Sequence, residues 1–327
     1  MKVIEQTISQ LTLPTPFAVG DVHVYVLKGD ILSIVDAGVK TRQAWEALTT
    51  QLKQIGYRPS DIEQIILTHH HPDHIGLTEQ FPNAQYIAAE PSVNTWLTRD
   101  QEYLEHYRRF FEQYFVASGI PKIFYQALDK LEATMDFAGR GEVTTPLVEG
   151  DRLPGHPEWE VIETKGHAQS HLSFLRDRDH LLIGGDHLLE HISSNPIIEP
   201  PKIGKTIEDR PKPMIQYRKN LQKCVDINVN KVLPGHGKVV ENPQQLILSR
   251  LTKQEERANI VYEFLQQSVM LTPFEICKKL FPHQYKKQID LTMSETFGQL
   301  DYLESLRRII KRKKDGIIVY EANFISE

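Results

Sequence analysis

A chain of 327 residues in which 40% are hydrophobic can bury a substantial core and carry a small second domain beside a main one. Its 38 basic and 43 acidic residues leave a formal net charge of −5, so the chain as a whole exerts no general pull toward nucleic acid or anionic membrane. No apolar run reaches the roughly 18 residues of a membrane helix, and the opening MKVIEQTISQ lacks the basic and apolar regions of a signal peptide; a cytoplasmic protein without a membrane partner is expected. Cys224 and Cys277 stand far apart in sequence and offer neither a disulfide framework nor a CxxC site, so any metal must be held by histidine and carboxylate.

In chain order, VHVYVL and ILSIVD between residues 22 and 36 read as two β runs joined at Lys28-Gly29-Asp30, a hairpin. Ala44, Leu48, Leu52 and Ile55 carry helical spacing over 41–55, Gly56 stops it, and the strand-like IIL of 65–67 follows. Further β runs are expected at 86–89, 161–164, 171–175, 180–184 and 231–233. Strands alternating with helices predict an α/β layered protein with its site on loops at strand ends. Residues 91–137 interrupt the pattern as a helical insertion. Their aromatic stripe from Trp96 through Tyr103, Tyr107 and Phe111 to Tyr114 continues in Leu128, Leu131 and Met135, with a break near Gly119 and Pro121. That stripe reads first as a buried helix face and second as a lid. Five prolines make 194–213 a long structured loop. Beyond 244, a helix to about 266, a second from Thr272-Pro273, a third from about 292, and a hairpin turning at Asp315-Gly316 predict a small winged-helix-like domain.

The densest chemistry is ILTHHHPDHIG at 66–76. Imidazole and carboxylate suit a borderline metal such as zinc, and a catalytic site keeps one position open for water. On an extended chain end, His69 and His71 point the same way and His70 points elsewhere. After the bend at Pro72 come Asp73 and His74, so one loop can feed two metals. Two coordination spheres need further ligands, and three candidates lie at later strand ends beside glycine: His167 in GHAQSH, Asp186 in GGD and His236 in PGHG.

With His69-x-His71-x-Asp73-His74, Gly166-His167, Gly185-Asp186 and Pro234-Gly235-His236-Gly237 in this order across residues 20–240, the sequence resembles the metallo-β-lactamase-fold hydrolases, which include glyoxalase II-type thioesterases, lactonases and zinc ribonucleases. The resemblance implies an αβ/βα four-layer sandwich over residues 1–243, with the helical insertion at 91–137, followed by the α+β winged-helix-like domain over 244–327. It implies two metals, one on His69, His71 and His167 and the other on Asp73, His74 and His236, with Asp186 between them. Val35-Asp36-Ala37-Gly38 resembles the motif whose aspartate supports the metal loop, although Asp before glycine is also an ordinary turn residue. Lys165 stands where the family commonly has proline, and Ala168-Gln169-Ser170 replace its usual small residues; both affect the pocket lip. His70, His171, His187 and His191 read as neighbours of the ligands or as surface groups.

Two adjacent cations can share a water, bring its pKa toward roughly 7 and polarise a substrate oxygen. The expected activity is therefore hydrolysis of an ester, thioester or lactone of a small molecule by a metal-bridged hydroxide, with Asp73 as a proton carrier. Two zinc ions per chain are expected, and the donor set also accepts iron or manganese. Arg307, Arg308, Lys311, Arg312, Lys313 and Lys314 cluster at the last hairpin, which reads first as a solvated edge and second as an RNA contact of a metal-dependent ribonuclease. An iron oxygenase on His69, His167 and Asp186 is a third reading, opposed by the complete second set. Oligomeric state is left open by the sequence, which is compatible with a dimer.

Overall fold

The computed structural model of the protein describes residues 1–324, and of residues 130–132 the backbone only. The first sheet follows chain order: β1 Lys2–Glu5, β2 Ile8–Leu13, β3 Val22–Lys28, β4 Leu32–Val35, β5 Gln64–Ile66, β6 Tyr86–Ala89 and β7 Thr145–Pro146. It is antiparallel through β4 and parallel from β4 to β7. The second sheet holds β8 Arg152–Leu153, β9 His156–Glu163, β10 Leu172–Arg176, β11 Leu181–Gly185 and β12 Lys231–Pro234. Only its last pair, β11 with β12, is parallel. A separate hairpin joins β13 Ile309–Lys314 to β14 Ile317–Ala322, with Asp315 and Gly316 at the turn as expected.

Strand alternation builds the layers. On β3, Val22, Val24 and Val26 face helix α1 (Arg42–Gln54), while Tyr25 and Leu27 pack against Trp159, Val161 and Phe174 of the second sheet. The second sheet in turn covers its outer face, through Leu182 and Val232, with Tyr217, Leu221 and Cys224 of a helix, so Cys224 is a small buried hydrophobe. Helix, sheet, sheet and helix give the four layers expected.

Between the sheets' connections lie α2 (Pro72–Ile75), α3 (Val93–Leu97), α4 (Gln101–Ala117), α5 (Gln126–Thr134) and α6 (Pro213–Asp226), and the chain closes with α7 (Pro243–Gln266), α8 (Pro273–Leu280) and α9 (Ile289–Ser305). Thr41 caps α1 by accepting the Ala44 N–H, and Thr272 with Glu275 forms a capping box on α8. The insertion and the C-terminal helices share one core. Phe110, Tyr114 and Phe115 of α4 pack with Ala258, Phe274, Met293 and Phe297, and the bidentate Arg210–Asp301 pair, with both side chains buried, ties the proline-rich loop to α9. Leu131, placed on the insertion's apolar face by its spacing, has a side chain outside the described residues. No helix among the described residues is long and apolar enough to cross a membrane.

Candidate metal centre

The parallel strands decide where chemistry gathers. β4, β5, β11 and β12 all end on one edge, and their following loops carry Asp36, Thr68 to His74, Asp186 and His236. The two sheets are joined there by backbone bonds: the Leu172 N–H donates to Thr68 O at 2.8 Å, and the His23 N–H to Gly235 O at 2.7 Å.

Local sequence sets the ligand loop. His71 is extended (φ −65°, ψ 147°), as the residue before proline must be, and Pro72 opens α2 at a position where its missing N–H costs nothing. His69 and His71 therefore share a face: His69 Nε2 lies 3.0 Å from His71 Nδ1, which lies 3.0 Å from His167 Nε2. His70 points the other way, stacks on Trp96 with ring centroids 4.4 Å apart, and pairs through Nδ1 with Ser170 Oγ at 2.8 Å.

The second group forms one turn later. His236 Nε2 is 3.3 Å from Asp73 Oδ2, and the donor atoms of Asp73, His74 and His236 lie within 4.8 Å of one another, as do those of His69, His71 and His167. Asp186 stands between the groups, with Oδ1 3.4 Å from His74 Nε2 and Oδ2 3.5 Å from both His167 Nε2 and His236 Nε2. All seven predicted ligands thus meet. Gly235 allows the approach, since a β-carbon there would sit 2.3 Å from Asp186 Oδ1.

Neighbouring groups fix the rings. The other ring nitrogen of His74 faces Asp36, that of His167 faces the Asn195 carbonyl at 3.1 Å, and that of His236 the Asp21 carbonyl at 2.8 Å. His171 accepts the Asp186 backbone N–H on Nε2 at 3.0 Å while Nδ1 pairs with Thr164. It positions a ligand without being one. His187 is buried against Tyr217 and His191 is exposed. The carbonyls of Asp21 and Asn195 carry no residue-type signal, so sequence reading could not single them out; Thr68 directly precedes the histidines, and Asp36 was legible by resemblance.

Electrostatics show what the cluster lacks. Burial and the neighbouring imidazoles hold His69 and His71 well below the ordinary histidine range. Against the same burial, the carboxylates of Asp186, Asp36 and Asp73 hold His74 well above it, and Asp186 and Asp73 push His236 up to about 10. Despite burial, His236 and His74 hold Asp186 well below the usual carboxylate range. Meanwhile His74 Nε2, Asp186 Oδ1 and His236 Nε2 are buried with no hydrogen-bond partner among the described residues. Buried polar atoms left unpaired and aimed at one another fit a cation between them. Imidazole and carboxylate are the donors that divalent metals such as zinc take.

A cavity of about 440 Å³ adjoins this edge, lined by His70, His71 and Pro72 and by Trp96, Tyr107, Phe111 and Ile198 among others. The aromatic stripe thus divides: Phe110 and Tyr114 fill core, while Trp96, Tyr107 and Phe111 also form cavity wall.

Residues 18–236 match the model of the metallo-beta-lactamase superfamily. The chain is 38% identical to the "Probable metallo-hydrolase YqjP" of Bacillus subtilis strain 168, across 90% of this chain and 91% of that one. It is 24% identical to an atrochrysone carboxyl ACP thioesterase of Aspergillus fumigatus, across 71% of this chain and 56% of that one. Its fold superposes on a metallo-beta-lactamase family protein of Thermus thermophilus with a TM-score of 0.80, at 24% identity, covering 98% of this chain and all of the other. Family model, metallo-hydrolase relative and the gathered histidines and aspartates agree: the chain belongs to the metallo-beta-lactamase superfamily and is a metal-binding hydrolase of that fold.

Proposed function

We propose that this protein is a dinuclear zinc hydrolase acting on an ester, thioester or lactone of an acyl-bearing small molecule. The observation that carries the reading is the mostly apolar cavity lined by His71, one of the proposed ligands, together with residues of α4 and α9. Its volume lies in the range of small-molecule sites. The thioesterase named above supports the substrate class, as a relative's activity.

His69, His71 and His167 would hold one metal, Asp73, His74 and His236 the other, with Asp186 facing both. Metal ions bound there supply a nucleophile from water at neutral pH and a Lewis acid for the carbonyl oxygen. The chain's own residues do the rest. Trp96, Tyr107 and Phe111 take the acyl chain and exclude water from it, and the stacked His70–Trp96 pair forms the wall next to the ligands. Asp73, whose Oδ2 faces His236, is the carboxylate at which the proton bound for the leaving group is held.

Three of the six cations of the hairpin cluster have partners within the chain: Lys311 pairs with Glu208, Arg312 with Glu321 and Arg308 with Asn259. That favours the solvated-edge reading over an RNA surface. The test is an assay of the zinc-loaded protein against medium-chain acyl thioesters, an acyl lactone and a labelled single-stranded RNA. Acyl turnover with intact RNA is expected; RNA cleavage without acyl turnover would contradict the proposal.

A further inference from the structure

One buried acid has no part in the ligand set. Glu199, flanked by Ile198 and Pro200 in the proline-rich loop, is only 5% exposed and lines the same cavity as His71, Trp96 and Tyr107. Its position is held from three sides. Asn195, four residues before it, accepts from the His167 ring, the Ile198 N–H donates to Ser294 of α9 at 3.3 Å, and the Pro201 carbonyl faces His106 Nε2 of α4 at 2.7 Å. One oxygen of its carboxyl accepts the Gln169 N–H at 2.6 Å. Among the described residues no cation pairs with it: Lys165, whose charge acts on it, is engaged with Glu163 at 2.6 Å.

A carboxyl buried in a mostly apolar wall, with no cation paired to it, is a cost to the fold unless a ligand uses it. Gln169 is two residues past His167, so the carboxyl stands near the metal end of the cavity. Resting on the acyl-hydrolase reading, we infer that Glu199 is a specificity-determining residue whose protonated carboxyl donates a hydrogen bond to a second oxygen on the acyl chain, close to the scissile carbonyl. The preferred substrates are then 3-oxo or 3-hydroxy acyl compounds, and plain alkyl acyl groups of equal length are poor ones. Burial, reinforced by Glu90, pushes the Glu199 carboxyl up to about 7, which keeps the donor proton present near neutrality. A site built to hydrogen-bond an oxygen discriminates against its absence because the buried partner is left unpaired.

Binding tests this apart from turnover. The probes are two thioethers with eight-carbon chains, which lack the scissile thioester carbonyl; one carries a 3-oxo group and the other is plain. In the zinc-loaded wild-type protein the 3-oxo probe should bind about tenfold or more tightly than the plain one. Glu199→Gln, which keeps a donor and an acceptor, should retain the gap, and Glu199→Leu should erase it by improving the plain probe. Raising the pH from about 6 to about 8 should narrow the gap in wild type but not in Glu199→Gln. The other titratable groups about this residue are Tyr103 and Tyr107, whose hydroxyls burial keeps un-ionised, and Glu90 and Lys165, while His70, His71, Glu105, Arg108 and Asp290 line the same cavity. This pH comparison serves even where Glu199→Leu does not fold. Equal affinities in wild type, or an unchanged gap in Glu199→Leu, would overturn the inference. A gap that follows Glu199 in a protein that hydrolyses no acyl ester, thioester or lactone would support it and overturn the proposed substrate class instead.

Discussion

Asp36 Oδ2 lies 2.7 Å from His74 Nδ1, with both side chains buried. Asp36 reaches that place from a left-handed backbone (φ 63°), and it also accepts the Thr68 N–H and hydroxyl. The contact fixes the tautomer of His74 and turns Nε2 toward Asp186. Asp36→Asn should therefore weaken metal at the Asp73, His74 and His236 group by about 10–100-fold. Competition titration with a chromogenic chelator checks this; two unaltered affinities would show that Asp36 is only a turn residue.

Stripping the metals should destabilise the fold in a pH-dependent way. A ligand at about 1,000 times its Kd stabilises by about 4 kcal/mol, so calorimetry with and without chelator should separate clearly. In the stripped protein, His236 has a folded pKa of about 10 against an ordinary 6.5. Its contribution is complete below about pH 6.5 and is lost as pH rises toward 10. Metal replaces that proton, so the loaded protein should lack this alkaline decline. An identical decline in both forms would contradict the cation assignment.

Glu199→Gln should stabilise the protein above neutrality. The folded pKa of Glu199 is raised from 4.5 to about 7, so its stabilising contribution holds below about pH 4.5 and is lost as pH climbs to 7. At pH 8 the substitution should recover up to about 3 kcal/mol, and at pH 4 almost nothing. Urea midpoints at the two pH values decide it. A variant less stable than wild type at pH 8 would mean that an ionised Glu199 is well solvated.

Arg210 and Asp301 fasten the cavity loop to α9 through two 2.8 Å bonds. Asp301→Leu alone strands a buried guanidinium and should cost about 3–5 kcal/mol, whereas Arg210→Met combined with Asp301→Leu should recover most of that. Denaturant unfolding of the single and double variants measures the difference, and equal losses would show that the pair contributes through packing alone.

Sequence reading reached the seven side chains that gather here because such a pattern is local: His69 to His74 occupy one turn, and His167, Asp186 and His236 each sit beside a glycine at a strand end. The strands at 22–35 and the helix at 42–54 were legible for the same reason, since their periodicity is a neighbour-to-neighbour property. The pairing of β1 with β2 escaped it because KVIE and ISQLTL carry a mixed pattern that only the register with β3 resolves. Glu199 escaped it too. Among prolines an acid reads as solvated loop, and only α4 and α9 closing over that loop turn it into a cavity group. The shared core of α4 with α7 to α9 is likewise a long-range fact that no window of sequence contains.

The proposed two-metal site of seven side chains makes acyl hydrolysis depend on bound metal. Its most direct test is the rate of medium-chain 3-oxoacyl thioester hydrolysis as zinc is added back to chelator-stripped protein. No turnover is expected without metal, then a rise that saturates near two equivalents per chain and is abolished by His71→Ala. Turnover indifferent to zinc, or a fully loaded protein that cleaves none of these substrates, would contradict it.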